Sequence, residues 1–183
     1  MRAFATAFAL AFAVLPVAAI PALSPGRIAP DFRTTGALAG RPFTLHLREQ
    51  LRHGPVVLYF YPRAFTQGCT LEARAFSEAA LDFRRAGARV IGMSADDYET
   101  LRRFSVEGCR NAFPVATATP ETIRAYDVRF SAERANMTNR TSYVIAPNGR
   151  IIYAHSDLDY RAHVANTLAA VRQWQAQQRR RRR

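Results

Sequence analysis

The amino-acid sequence predicts an α/β fold with a central mixed sheet flanked by helices, on two observations. Segment 56–61 is a continuous apolar run, which is typical of a strand covered on both faces, and segment 89–93 is predicted as a second buried strand. Segment 70–86, which lies between them, places its apolar residues at helical spacing and ends at Gly87. Two strands joined through a helix of this length pair in parallel. With 183 residues, of which 49% are hydrophobic, the chain has enough apolar side chains for one ordinary domain.

The elements outside this unit are predicted from turn residues and from the spacing of apolar residues. A Gly- and Pro-rich stretch precedes a short strand, and a helix with Pro120 in its first turn follows a second short strand. Pro147-Asn148-Gly149 marks a hairpin between two more strands, and one amphipathic helix comes last. In chain order these elements are strand 43–47, helix 99–107, strand 113–116, helix 120–126, strands 142–146 and 150–155, and helix 160–178. This order describes a thioredoxin-like fold with an extra strand and helix between its halves.

The N-terminal segment differs in character from the domain that follows it. Arg2, the apolar run 3–15 and the small residues 17–19 are together typical of a cleavable export signal. We therefore predict a signal peptide over 1–22 and a domain over 23–178, in a bacterial protein that is exported to the periplasm or secreted. An uncleaved membrane anchor is the alternative, although two prolines interrupt the apolar run.

The net charge of +12 comes from arginine alone, because none of the 26 basic residues is Lys. Five of them form the terminal run Arg179–Arg183, which we predict to be disordered. The sequence has no stripe of alternating basic and aromatic residues, so nucleic-acid binding is not expected. Attachment of the tail to anionic lipid is a hypothesis that competes with a solvated tail without a partner.

Cys69 stands between a buried strand and the helix that follows it. Unpaired N–H groups and the helix dipole favour negative charge at a helix start, so a thiol there ionises readily and becomes a nucleophile. Glu72, one turn further on, places a second negative charge nearby, so we expect a positive partner. From position alone, a buried and inert cysteine that packs as a small hydrophobic residue is equally open.

The residues before Cys69 carry a resemblance to a known family. The stretch Pro62-Arg63-Ala64-Phe65-Thr66-Gln67-Gly68-Cys69 fits the pattern PxxxTxxC and resembles the active-site motif of the peroxiredoxins. The longer run FYPRAFTQGCTLEA is similar to that of their bacterioferritin-comigratory, or Q-type, branch. The resemblance extends from about Arg27 to Trp174 and includes Ala29-Pro30-Asp31-Phe32 and Asn139-Arg140-Thr141-Ser142-Tyr143.

The resemblance implies the peroxiredoxin variant of the thioredoxin-like fold and a thiol-dependent peroxidase without metal or organic cofactor. Its substrates would be hydrogen peroxide or organic hydroperoxides. Cys69 would attack the peroxide and become a sulfenic acid, Thr66 would orient peroxide and thiolate, and Pro62 would shield the thiolate from water. Arg140 would be the positive partner that favours the thiolate and stabilises charge as the O–O bond breaks. A thioredoxin-like protein or a small thiol would be the reductant, and the protein would be a monomer or dimer.

Cys109 is the second cysteine, and its role stays open at this point. Many Q-type members have a second cysteine five residues after the first, where this chain has Arg74. Resolution of the sulfenic acid would then fall to Cys109 or to an external thiol. The alternative function is a non-catalytic redox-sensing or binding domain in which a Cys69–Cys109 disulfide is structural. A disulfide oxidoreductase is not expected, since Thr66 stands at the first position of a CxxC motif, and the four histidines show no metal-ligand spacing.

Overall fold

A seven-stranded mixed sheet forms the centre of the computed structural model, which describes residues 22–181. Its strands lie in the order β2-β1-β5-β4-β3-β6-β7. The pairs β3–β4 and β4–β5 are parallel, and the other four neighbouring pairs are antiparallel. The strands are β1 (Arg33–Leu38), β2 (Arg41–His46), β3 (Val56–Phe60), β4 (Arg89–Ser94), β5 (Val115–Thr117), β6 (Thr141–Ile145) and β7 (Ile151–Ser156).

Five helices cover the two faces of this sheet, which confirms the predicted fold class. They are α1 (Leu47–Leu51), α2 (Gln67–Arg85), α3 (Tyr98–Glu107), α4 (Pro120–Ala125) and α5 (Arg161–Arg181). Helices α2, α3 and α5 contribute to the core on one face, and α1 and α4 to the core on the other. Among the residues 22–181, no helix is long and apolar enough to cross a membrane.

Strand β3 contributes to both cores because it lies in the middle of the sheet. Val57 and Tyr59 face the core that contains α2, whereas Val56, Leu58 and Phe60 face the other. All five side chains are completely buried, and burying a side chain of this size stabilises the fold by about 1.5–3 kcal/mol. The continuous apolar run in the sequence is therefore the signature of a strand with no solvent-exposed face.

The structure differs from the sequence prediction at three places in the first half of the chain. Helix α1 was not predicted, and its first residue, Leu47, lies in the predicted strand 43–47. Strand β1 was not predicted, because Arg33–Leu38 has no alternation of apolar and polar residues. It pairs with β5 at Gly36, where a side chain could not fit, since a Cβ atom would lie 2.1 Å from the Val115 carbonyl oxygen. Helix α2 begins at Gln67, three residues before the predicted start, so Cys69 is its third residue.

At the other end, α5 continues to Arg181, so the first three arginines of the tail are helical where disorder was predicted. Arginine is a good helix former, and the helix before it supplies the hydrogen-bonding partners that let it propagate. Residues 182–183 lie outside the described residues. The same holds for residues 1–21, which make up almost the whole predicted signal peptide.

Candidate active site

The loop that carries the chain from β3 into α2 is held by contacts on both sides. The backbone N–H of Ala64 donates to the Asp96 carboxylate at 2.7 Å. Phe65 has a left-handed backbone (φ 62°), and its ring packs edge-on against Phe104 of α3 with the centroids 5.2 Å apart. The guanidinium of Arg103 lies 5.2 Å from the same ring. These contacts fix the position at which α2 begins, and with it the position of Cys69.

Cys69 lies in the first turn of α2, and its side chain is almost completely buried, with 2% exposure. The Nη2 atom of Arg140 donates a hydrogen bond to its Sγ atom at 3.5 Å. Arg140 directly precedes β6, the strand that pairs with β3 along its whole length. This pairing places a residue far along the chain at the start of α2. Cys69 therefore has both a helix N-terminus and a guanidinium beside it, and both favour a thiolate.

Glu72 is completely buried and forms an ion pair with Arg140, whose Nη1 donates to the carboxylate Oε2. The Nε of Arg140 donates to the Leu158 carbonyl at 2.9 Å, so three sides of the guanidinium have partners. The sequence predicted only that Glu72 would oppose ionisation of Cys69. The structure adds that Glu72 positions the cation, which no spacing rule in the sequence could indicate. Burial raises the pKa of Glu72 to about 8, although the charge of Arg140 acts in the opposite direction.

His163 on α5 completes this buried polar group, and the sequence analysis did not assign it a role. Its Nε2 lies 2.9 Å from the Asp157 carbonyl, and its Nδ1 lies 2.8 Å from the Ser142 hydroxyl. Because a carbonyl can only accept, Nε2 carries the proton and Nδ1 accepts from Ser142. Burial lowers the pKa of His163 to about 4, so the imidazole is neutral. The available signal was its place on the apolar face of α5, where a polar residue needs buried partners.

Thr66 and Pro62 lie in the loop before Cys69, and their predicted roles stay predictions. Thr66 is exposed at the N-cap position of α2, and its hydroxyl donates to the Arg63 carbonyl at 3.0 Å. Pro62 is half-buried and lines a surface cavity together with Asp96. The structure thus brings Arg140 to the thiol, while the Thr66 hydroxyl bonds within its own loop.

Cys109 lies just beyond α3 and is completely buried. It belongs to the same core cluster as Cys69, and its carbonyl accepts from the Ser77 hydroxyl of α2 at 2.5 Å. Both cysteines are free thiols, so the predicted disulfide bond is not present in this structure. Burial raises the pKa of the Cys109 thiol well above its usual range, and a thiol in this environment is unreactive. Within residues 22–181, no three His, Cys, Asp or Glu side chains form a group that could hold a metal ion.

Comparison with known proteins shows the family of this chain. The sequence pattern of the AhpC/TSA family matches residues 25–154. The chain belongs to this family. Peroxiredoxin Q of the wheat (Triticum aestivum) chloroplast is 31% identical over 177 residues, which cover 93% of this chain and 79% of that protein. A Helicobacter pylori protein described as a putative peroxiredoxin bcp is 42% identical, but over 82 residues, which span 45% of this chain and 51% of the relative.

Solved structures of peroxiredoxins have the same fold. The crystal structure of peroxidoxin BcpB from Mycobacterium tuberculosis superposes with a TM-score of 0.73 at 29% identity, covering 81% of this chain and 96% of that one. A Xanthomonas campestris peroxiredoxin Q gives a TM-score of 0.67 at 27% identity, covering 77% and 90%. The chain is therefore a peroxiredoxin of the Bcp and Q-type branch, as its motif predicted.

The first prediction concerns Arg140. Arg140→Met should slow oxidation of Cys69 by hydrogen peroxide by about 100-fold or more, since one charge-stabilising donor is lost. Rapid-quench kinetics measure this rate. Arg74→Met is the matched control, because Arg74 is exposed on the same helix. Thermal unfolding shows whether the Met variant is folded; a folded variant that reacts at the wild-type rate would contradict the assignment.

The second prediction concerns acid stability. The pKa of His163 is about 4 in the folded chain and about 6.5 when unfolded, so only the unfolded chain binds this proton between those values. The contribution of His163 to stability is complete above about pH 6.5 and is lost as the pH falls to about 4, by up to about 3 kcal/mol. Urea unfolding across this pH range should show that the free energy of unfolding of His163→Gln falls less steeply with decreasing pH than that of the wild-type protein. The exposed His53→Gln should keep the wild-type slope, and equal slopes in all three would contradict the prediction.

Proposed function

We propose that this protein is a thiol-dependent peroxidase that reduces hydrogen peroxide or small organic hydroperoxides to water or the corresponding alcohol. The observation that carries the proposal is the position of Arg140, whose guanidinium bonds both the Cys69 thiol and the Glu72 carboxylate at a helix start. Membership of the family supports it. No organic cofactor is needed for this chemistry, because the sulfur of Cys69 itself takes up the oxygen atom.

In the first step the Cys69 thiolate attacks the terminal oxygen of the hydroperoxide. An S–O bond forms and the O–O bond breaks, so the sulfur is oxidised to a sulfenic acid and the peroxide is reduced. Negative charge develops on the departing oxygen, which leaves as water or alcohol after taking a proton from solvent. Arg140, with Nη2 3.5 Å from Sγ, stabilises this charge from a fixed position.

In the second step a thiol condenses with the sulfenic acid, which forms a disulfide and releases water. We propose Cys109 as this thiol, because it lies in the same core cluster as Cys69. The two Cα atoms must come within about 7 Å, so the start of α2, the end of α3 or both must unwind. Arg110 and Asn111, directly after Cys109, have left-handed backbones with φ of 49° and 61°. This strained turn costs free energy in the reduced state and favours the rearrangement.

The reductant, the location and the assembly are part of the proposal. A thioredoxin-like protein or a small thiol would reduce the disulfide, in a protein exported through the segment 1–22. We propose a monomer or dimer, and we treat attachment of the run 179–183 to anionic lipid as secondary, since three of its residues extend the exposed end of α5.

The third prediction tests the activity itself. The purified domain, with dithiothreitol as reductant, should consume hydrogen peroxide, and Cys69→Ser should abolish consumption because it removes the nucleophile. The loss of peroxide is followed directly. Cys109→Ser is the matched control, since it should still be oxidised once by peroxide at the wild-type rate. A wild-type domain that is no faster than Cys69→Ser would refute the peroxidase.

The fourth prediction tests the role of Cys109. One equivalent of peroxide added to the reduced protein should produce a Cys69–Cys109 disulfide, detected by peptide mapping with mass spectrometry. In Cys109→Ser the sulfenic acid of Cys69 should persist and be trapped by a sulfenic-acid reagent. If Cys69 in the wild-type protein remains a sulfenic or sulfinic acid while Cys109 stays free, an external thiol resolves the intermediate instead.

A further inference from the structure

The carboxylate of Asp96 joins the end of β4 to the loop that precedes the active-site thiol. Its Oδ2 atom accepts from the backbone N–H of Ala64 at 2.7 Å and from the Ser94 hydroxyl at 2.8 Å. Ser94 is the last residue of β4 and is completely buried, so it fixes the carboxylate from the side of the sheet. Ala64 is also buried and lies midway between Pro62 and Thr66. One carboxylate oxygen therefore holds the middle of the loop against the core.

The loop beyond this bond has a conformation that depends on its surroundings. Phe65, directly after Ala64, has a left-handed backbone with φ of 62°, which a bulky residue seldom adopts. The Asp96 bond before it and the edge-on packing of its ring against Phe104 offset the cost of this conformation. Loss of the carboxylate would leave the Ala64 N–H inside the protein without this acceptor. We therefore expect the loop to relax when the Asp96 side chain is removed.

A change in this loop changes the start of α2, because only Thr66 separates Phe65 from the helix. Thr66 is the N-cap residue, and its hydroxyl donates to the carbonyl of Arg63, the residue before Ala64. Cys69 is the third residue of α2 and moves with its first turn. The position of the thiol is thus set from outside the helix, through the bond that Asp96 accepts.

The contact between the thiol and Arg140 leaves little room for a shift of this turn. The Nη2 atom of Arg140 is 3.5 Å from the sulfur, and an added Cβ atom on Gly68 would lie 3.3 Å from the same Nη2. Arg140 is itself held by Glu72 and by the Leu158 carbonyl, so it cannot follow a displaced thiol. Stabilisation of the departing oxygen requires a donor that is already in place, so a displaced sulfur reacts more slowly although both groups are present.

We propose that Asp96 is a positioning residue for the peroxidase reaction, and that it acts on Cys69 through Ala64 and the start of α2. This role deepens the proposed function and rests on it. The role belongs to the accepted hydrogen bonds rather than to negative charge, since the carboxylate binds the loop backbone and Ser94. An amide oxygen at the same place can accept from both donors, whereas a methyl group cannot.

The fifth prediction is that Asp96→Ala slows oxidation of Cys69 by hydrogen peroxide about tenfold, whereas Asp96→Asn stays within about threefold of the wild-type rate. Rapid-quench kinetics on the reduced proteins give these rates. Asp97→Ala is the matched control, because Asp97 caps α3 through the Thr100 N–H instead of holding the loop. It should lose stability through the missing cap and still be oxidised at the wild-type rate. Thermal unfolding shows whether each variant is folded at the assay temperature.

Alkylation by iodoacetamide tests the position of the thiol without depending on peroxidase activity. Alkylation requires access but no alignment with Arg140, and Cys69 has 2% exposure in the intact structure. At about pH 10 a thiol exposed to water is ionised with or without a cation beside it, so the rate then reports access. Asp96→Ala should be alkylated faster at Cys69 than the wild-type protein, although peroxide oxidises it more slowly. Peptide mapping should show that Cys109, which is also buried, stays protected, and Asp96→Asn should keep both wild-type rates.

Three results would overturn the proposal. The first is a folded Asp96→Ala protein that is oxidised at the wild-type rate. The second is an Asp96→Asn protein as slow as Asp96→Ala, which would assign the effect to charge. The third is faster alkylation of Cys69 and Cys109 together in Asp96→Ala, which would indicate general unfolding.

A second variant covers the case in which Asp96→Ala does not fold. Ser94→Ala keeps the carboxylate but removes the hydroxyl that fixes it, so it should change both rates in the same directions by about threefold. Wild-type rates in both measurements would then overturn the proposal. A wild-type protein that consumes no peroxide would instead refute the peroxidase, while the alkylation rates would still test the link between Asp96 and Cys69. The two failures are therefore distinguishable.

Discussion

The guanidinium of Arg140 is the group on which the rest of the candidate site depends. It reaches Cys69, Glu72 and the Leu158 carbonyl, and so connects α2, the start of β6 and the segment after β7. A buried cation is costly unless each of its sides has a partner, and these three partners meet that requirement. The protein thereby keeps a fixed positive charge against a thiol that has 2% exposure, where low polarisability makes the charge more effective than in water.

The strand pairing of the sheet fixes the positions of Cys69 and Arg140 relative to each other. Strand β3 is buried on both faces and pairs with β4 on one side and β6 on the other, so the start of α2 and the start of β6 are held at the same end of the sheet. Neither position could shift without breaking a ladder of backbone hydrogen bonds in the core. The contacts of Phe65 with α3 further tie the thiol loop to the helix that precedes Cys109.

The same arrangement sets two cysteines in contrasting environments. Cys69 lies beside a helix start and a cation, whereas Cys109 lies in apolar surroundings that oppose its ionisation. A single core thus holds one thiol beside a cation and another in surroundings that keep it unreactive. Reactivity is decided by the neighbours of each sulfur and not by its burial, which is nearly equal for the two.

The sequence by itself determined the fold class, the order of most elements and the family. These follow from local signals: apolar runs, turn residues and the motif ending at Cys69. The pairing of Cys69 with Arg140 was expected only through the resemblance to the peroxiredoxins. Strand β1 was missed because its own residues do not alternate between apolar and polar. Only the tertiary structure decided the partners of Glu72 and His163, since they lie on separate helices and meet through packing. The sequence does not distinguish a charged helical residue that is solvated from one that is paired in the core. The partners that long-range strand pairing brings close decide between these two environments.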